Sequence, residues 1–332
     1  MHGERRSAMK SFILTAAVFM TVAAFSPRIA AAVGTPAGTV ISNQATASYQ
    51  DASANTFVTL SNTTLVTVDP AYSVAIANPA DQSVPANATA YYAYTLTNTG
   101  NATNTFNLTA GSVPVGWTVT LLRDDNANGT HEAGETTVIA TTGPLAADAA
   151  SLFFVAVAVP AGTPNGTTGA TTLNVTGTGG AGEDDTTDAV TTTAQAPALA
   201  VVKDVRNVST AGAFGAAANA TPTQILEYRV TVTNNGSVAA TSVVLSDPIN
   251  TNTGFDTSFA PVFNAGSSGL TMATEYSNNN GTSWVYVPNP AGGCGAPAPV
   301  DSCVTDIRWR STAGSMPSGG TTFNTLFHVR VK

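Results

Sequence analysis

The sequence predicts an all-β chain of two tandem antiparallel β-sandwiches with an extra strand segment in front. Three observations carry this. First, apolar and polar residues alternate in "AYYAYTLTN" (90–98), "WTVTLL" (117–122), "LFFVAVAV" (152–159), "LEYRVTVTN" (226–234), "TSVVLSD" (241–247), "IRWRS" (307–311) and "TLFHVRV" (325–331). Period two with β-branched and aromatic enrichment is the mark of half-buried strands. Second, "TNTGN", "TNNGS", "NNNGT" and "SGG" separate these segments, and Asn and Gly supply the backbone conformations that tight turns require. Third, "YAYTLTNTG" from Tyr92 and "YRVTVTNNG" from Tyr228 share Y-x-[YV]-T-[LV]-T-N-x-G without a gap. One sandwich unit therefore occurs twice.

Residues 1–32 read as a secretory signal. Arg5, Arg6 and Lys10 precede the apolar run "SFILTAAVFMTVAAF", and "AAA" at Ala30 to Ala32 is a small-residue cleavage site. That run is shorter than the roughly 20 residues a membrane-spanning helix needs. Export to the cell surface or beyond is expected, without membrane insertion.

Residues 33–69 form a separate segment: "PAGTVISNQATASYQ", a turn at "DASAN", then "TFVTLSNTTLVTV". The first sandwich spans 70–196 and opens with "AYSVAIANP"; the second spans 197–332 and opens with "ALAVVKDV". After "LFFVAVAV" the first sandwich continues with "PAGTPNGTTGATTLNVTG", an acidic turn and "AVTTTAQAP", a closing strand pair. The second reaches the equivalent strand, "TLFHVRVK", and is expected to be short of its last one or two strands. The segment at 33–69 starts with the same "PAGT", and its spacing to the next sandwich matches that of 160–196 within a few residues. The order of parts reads as circularly permuted.

A sandwich short of a strand exposes backbone donors and acceptors and an apolar groove, which a strand from elsewhere can fill. Residues 33–69 are the candidate donor. Donation to the next copy gives an open head-to-tail filament. Donation within the chain gives a closed monomer, and addition to the first sandwich gives a plain hairpin.

Composition narrows the partners. Only 10% of residues are charged and the formal net charge is -8, so nucleic acid would be repelled. Cys294 and Cys303 bracket "CGAPAPVDSC" and are expected to form a disulfide in an oxidising compartment.

The sharpest chemical motif is "DDNANGTHEAGE", which fits D-x-[DN]-x-[DN]-G-x5-E. Asp124, Asn126, Asn128, Thr130 through its carbonyl, Glu132 and Glu135 would offer the oxygen ligands that Ca2+ prefers. Flanking strands "WTVTLL" and "TTVIATT" would make it a hairpin loop. "GTGGAG" (177–182) satisfies G-x-G-x-x-G, but Glu183, Asp184 and Asp185 follow and would repel a phosphate. His131 and His328 have no Ser or Cys nucleophile motif beside them, so no enzyme is expected. Lys203 lies mid-strand and suits a salt bridge or, in some surface sandwiches, an isopeptide crosslink.

The succession of a first strand, "YRVTVTNNG", an apolar strand ending "LSDPI" and then "IRW…FHVRV" resembles the bacterial surface repeat known as domain of unknown function number eleven. The second sandwich carries the resemblance over most of its length; the first is looser. The resemblance implies an immunoglobulin-like fold in an exported protein, with surface display, adhesion or scaffolding and no catalysis. The expected function is a structural protein that assembles with other copies of itself by strand donation, alone or with other surface or matrix components. The competing expectation is a monomeric adhesin whose loops, with Trp284 and Tyr286, contact a ligand.

Overall fold

The computed structural model describes residues 34–111, 113–180 and 186–332. The expected signal sequence and the acidic run 183–185 lie outside them. The described chain is all-β, with two sandwiches in tandem and a hairpin in front.

The hairpin comprises β1 (Val40–Asn43), β2 (Thr46–Gln50), β3 (Thr56–Leu60) and β4 (Thr64–Thr67). β1 pairs with β4 and β2 with β3, both antiparallel.

The first sandwich holds β5 (Val74–Ala77), β6 (Gln82–Pro85), β7 (Thr89–Asn98), β8 (Asn104–Gly111), β9 (Thr118–Arg123), β10 (Thr141–Leu145), β11 (Ala150–Ala158), β12 (Thr168–Gly177) and β13 (Thr186–Gln195). Its sheets run β5-β7-β11-β9 and β10-β8-β12-β13-β6. The β13–β6 pair is parallel, a departure from the expected antiparallel scheme that arises because the chain changes sheet after β5.

Alternation in β7 shows why these residues make a sandwich. Tyr92, Tyr94 and Leu96 are buried while their neighbours are partly exposed. The two tyrosines span the core, and their hydroxyls bond the opposite sheet: Tyr94 donates to Asp188 at 2.7 Å and Tyr92 to the Thr191 carbonyl at 2.9 Å. Each ring thus buries apolar area without orphaning its polar tip.

The second sandwich holds β14 (Leu199–Asn207), β15 (Ile225–Asn234), β16 (Val244–Pro248), β17 (Thr253–Asp256), β18 (Val262–Asn264), β19 (Thr271–Ser277), β20 (Val300–Asp301), β21 (Asp306–Ala313) and β22 (Thr321–Val331). One sheet runs β14-β15-β22-β17-β20, with β18 also on β22, and the other β16-β21-β19. Trp309, Phe323 and Phe327 fill its core.

One expected strand forms only at its end. In "TTVIATT", Val138 makes an isolated bridge to Leu122, and only Thr141 and Thr142 belong to a strand, β10, whose pairing with β8 begins at Thr141.

Candidate functional site

Beyond its base, the strands of the hairpin stand clear of both sandwiches. Every residue of β1 to β4 is exposed, and neither ladder joins a strand of either sandwich. It is held by local polar contacts. At the tip, Asp51 accepts from the Ser53 and Asn55 N–H groups at 2.9 and 3.0 Å and from the Asn55 amide at 2.9 Å; these bonds with Asn55 hold its carboxyl below the usual range. Midway, Gln44 donates to the Ser61 carbonyl and the Ala45 N–H to the Ser61 hydroxyl. Yet eight large apolar side chains face solvent: Val40, Ile41, Tyr49, Phe57, Val58, Leu60, Leu65 and Val66, at 43–66% exposure. Tyr49 and Phe57 are cross-strand partners and stack at 5.4 Å.

The second feature is an open edge. β7 and β15 carry the repeated motif; β7 pairs with β5 and β11, and β15 pairs with β14 and β22. β8 and β16 follow the repeated turn, and β10 and β21 precede β11 and β22, so each strand has its counterpart. In the first sandwich β8 lies between β10 and β12, with β13 and β6 beyond. In the second, β16 pairs with β21 and, among the described residues, with no strand on its other side.

The consequence appears on the facing sheet. Val74 and Leu199 pair with Asn98 and Asn234, which makes Val74 and Ile76 the counterparts of Leu199 and Val201. Val74 and Ile76 pack against the first core. Leu199 and Val201 are 43% and 57% exposed, because among the described residues no strand extends the facing sheet beyond β16. Between β14 and β16 runs a groove of about 420 Å³ lined by Val201, Lys203, Tyr228, Leu245, Asp247 and Phe327 among others. A second groove, of about 520 Å³, lies between Leu199 and Val244.

The groove holds one ion pair. Lys203 donates to Asp247 at 2.6 Å and stands 4.4 Å from the Tyr228 ring centre. Burial pushes the Asp247 carboxyl up, against the opposing pull of Lys203, and nearby Asp306 adds to the rise. The second Asp247 oxygen, Oδ2, is buried without a hydrogen-bond partner.

Other sequence-selected residues are placed as follows. Cys294 and Cys303 are disulfide-bonded. In the candidate calcium loop, Asp124 accepts from the Asn128 and Gly129 N–H groups at 3.2 and 2.7 Å, and Glu135 from those of Asp125 and Glu132 at 3.0 and 2.9 Å. The Asn126 and Asn128 amides donate to Glu132, and the Thr130 N–H donates to Asn128. The donor set is all oxygen, as a hard cation requires. The side chains bond one another and the loop backbone, and no group of three His, Cys, Asp or Glu converges as a metal cluster among the described residues.

His131 stacks on Tyr91 at 3.7 Å. His328 stacks on Phe259 at 3.8 Å and contacts Glu227 at 3.2 Å. Trp284 lies over Arg308, and Tyr286 donates to Asp301 at 2.8 Å. β12 ends at Gly177 and the next described element is the strand β13, from Thr186, where a dinucleotide site needs a helix.

Sequence reasoning missed β6. It expected a salt bridge or an isopeptide crosslink at Lys203 without naming Asp247 as the partner, and it marked residues 33–69 as a candidate donor while leaving open whether they add to the first sandwich. No helix among the described residues is long and apolar enough to cross a membrane.

No family model matches the chain, and no curated protein matches it. Solved structures that align with it include the C-terminal domain of the Streptococcus pyogenes antigen I/II-family protein AspA, 10% identical over 79% of this chain and 91% of that one, TM-score 0.38. Another, described as BspA_C_WT, is 11% identical over 76% and 87%, TM-score 0.34. The secreted serine protease VesC from Vibrio cholerae is 11% identical over 78% and 46%, TM-score 0.26.

Proposed function

We propose that this chain is an exported, non-catalytic structural protein of the cell surface or matrix, of the kind its repeat motifs resemble. Copies assemble head to tail, the hairpin Val40–Thr67 of one entering the open edge of the second sandwich of another. One observation carries the reading: β12 and β13 fill in the first sandwich the position that, among the described residues, has no strand beside β16 in the second, while the same chain bears a bare apolar hairpin. That hairpin is entered through the same Pro-Ala-Gly-Thr as β12.

The energetics support it. Each of the eight exposed side chains has about half its surface left to bury, worth roughly 1 kcal/mol apiece, and pairing on β16 satisfies an open ladder. Hairpin and edge are different surfaces, so the contact is heterologous and propagates into a filament unless it closes a ring. The loop Asp124–Glu135 enters the proposal as a calcium site on the strength of its oxygen donors. A melting temperature that is the same in calcium and in chelator would remove it.

The test is light scattering and negative-stain microscopy on residues 34–332 beside 70–332. Filaments from the longer chain alone support strand donation. Monomers from both, each unfolding cooperatively, return the protein to a monomeric surface adhesin.

A further inference from the structure

We infer that the hairpin is set at a fixed angle on the first sandwich by a joint that repeats the one between the two sandwiches. A second copy of this chain docked on the hairpin would then stand on the first sandwich as the first stands on the second. The identity of that partner rests on the assembly reading above; the joint does not.

Both joints use the turn that ends the repeated motif. In the first sandwich the Thr99 N–H donates to the Ser73 carbonyl and the Asn101 N–H to that of Ala71, each at 3.0 Å. In the second the Asn235 N–H donates to the Ala198 carbonyl at 2.8 Å and the Ser237 N–H to that of Ala196 at 3.1 Å. The two acceptors stand two residues apart in both cases, on the segment that leads into the first strand. Between the donors lies a glycine. A Cβ on Gly100 would come within 2.4 Å of the Ala71 oxygen, and one on Gly236 within 2.3 Å of the Ala196 oxygen. Only glycine lets the turn sit this close to the linker.

A Pro-Ala-Gly-Thr loop completes each joint. Beyond Pro160, Asn165 accepts through Oδ1 from the Ala196 N–H at 3.1 Å, the Ser237 N–H at 3.3 Å and the Ser237 hydroxyl. At the hairpin the bridging amide belongs to the turn instead. Asn101 accepts from the Ala71 N–H at 2.7 Å and donates to the Thr35 and Asp69 carbonyls at 3.1 Å, and its own carbonyl accepts from the Ala37 N–H at 3.0 Å. One asparagine thus ties loop, linker and turn together in each joint.

Two properties follow. A donor held at a set angle loses less freedom when it docks, which favours association. Equal joints also make the assembled chain a rod of evenly spaced sandwiches, with each chain contributing two repeats.

The experiment places spin labels at Ser48→Cys and Asn107→Cys in the chain 34–332 and measures their distance distribution, in free chains and in filaments. The expected result is one narrow peak in both states, widened at least twofold by Asn101→Ala and less by Asn101→Asp, which keeps an acceptor. In filament images, spacing and twist between successive sandwiches should be equal. A broad peak in the parent chain, an unchanged peak in both variants, or alternating spacings would overturn the inference. A narrow peak without filaments would sustain the joint and sink strand donation.

Discussion

Replacing Tyr49 and Phe57 together by threonine should raise the critical concentration for assembly while leaving the sandwiches intact. Tyr49 stands thirteen residues after Pro36, and Leu173 the same distance after Pro160. Leu173 is 1% exposed in the first core, so the Tyr49–Phe57 face is the one assigned to the groove. At 57% and 43% exposure, each ring has roughly 100 Å² left to bury out of about 200 Å². At about 25 cal/mol per Å², that is ~2.5 kcal/mol per ring. Halving the sum for ring edges that stay wet leaves ~2.5 kcal/mol, or about 70-fold in affinity. In the free chain the pair contributes no more than ~1 kcal/mol to the hairpin and nothing to either core. Pelleting assays across a concentration series measure the critical concentration, and circular dichroism follows the melting. An unchanged critical concentration would refute the reasoning, as would a shift explained by loss of sandwich stability. Val58→Thr with Leu60→Thr, on the opposite face of the same ladder, should have the smaller effect.

The remaining predictions concern the sandwiches. Asn98 is fully buried and donates to the Ala102, Leu145 and Ala146 carbonyls; Asn234 does the same for Val238, Met316 and Pro317. Alanine at either position orphans these groups and should cost about 2–4 kcal/mol in urea unfolding, whereas exposed Asn62→Ala should stay within ~0.5 kcal/mol. Replacing Cys294 and Cys303 by serine opens a short loop and should cost about 2–3 kcal/mol, with a matching fall in melting temperature when the parent chain is reduced. Asp247 is raised by burial, so the folded state binds its proton more tightly than the unfolded state. Its contribution to stability therefore grows as pH falls from neutral through the folded pKa towards the ordinary value of 3.8. Asp247→Asn should flatten that rise in unfolding free energy between neutral pH and pH 4. A difference from the parent that is constant across this range would show that Asp247 does not titrate there.

Strands whose side chains divide cleanly between core and solvent were legible in the sequence. β7, β15 and β22 lie where alternation places them, because a one-residue slip would turn every inward ring outward. Alternation was silent on β6, a four-residue edge strand, and misleading at 136–140, where a β-rich composition lies on a connection whose one isolated bridge is Val138 to Leu122. The hairpin was visible as two strands. Its freedom was not, since apolar residues on an exposed ladder read the same as apolar residues on a covered one. Of the groove, Lys203 was noticeable as one of two lysines beyond the signal. Its partner Asp247 lies in the opposite sheet, and sequence spacing carries no information about contact across a sandwich.

The distribution of charge offers a way to tell which free edge a visiting strand would use. Exposed edges are ordinarily blunted by charged side chains or by a covering segment. β14, one edge beside the groove, carries Lys203, Asp204 and Arg206 and is bridged at Val205 by Gly215. β16, the other, offers Val244, Leu245 and Ser246, and its one charge, Asp247, is turned inward to Lys203. The hairpin is similarly unguarded: between Val40 and Thr67 the sole charged residue is Asp51, at the tip. A two-stranded hairpin with no covered face is marginal in water, and the contacts that hold this one bury little apolar surface. An unguarded donor and an unguarded acceptor in one chain are a liability as separate features. Paired with each other, both lose their exposed backbone and apolar surface in a single contact, so strand entry is expected along β16 and not along β14.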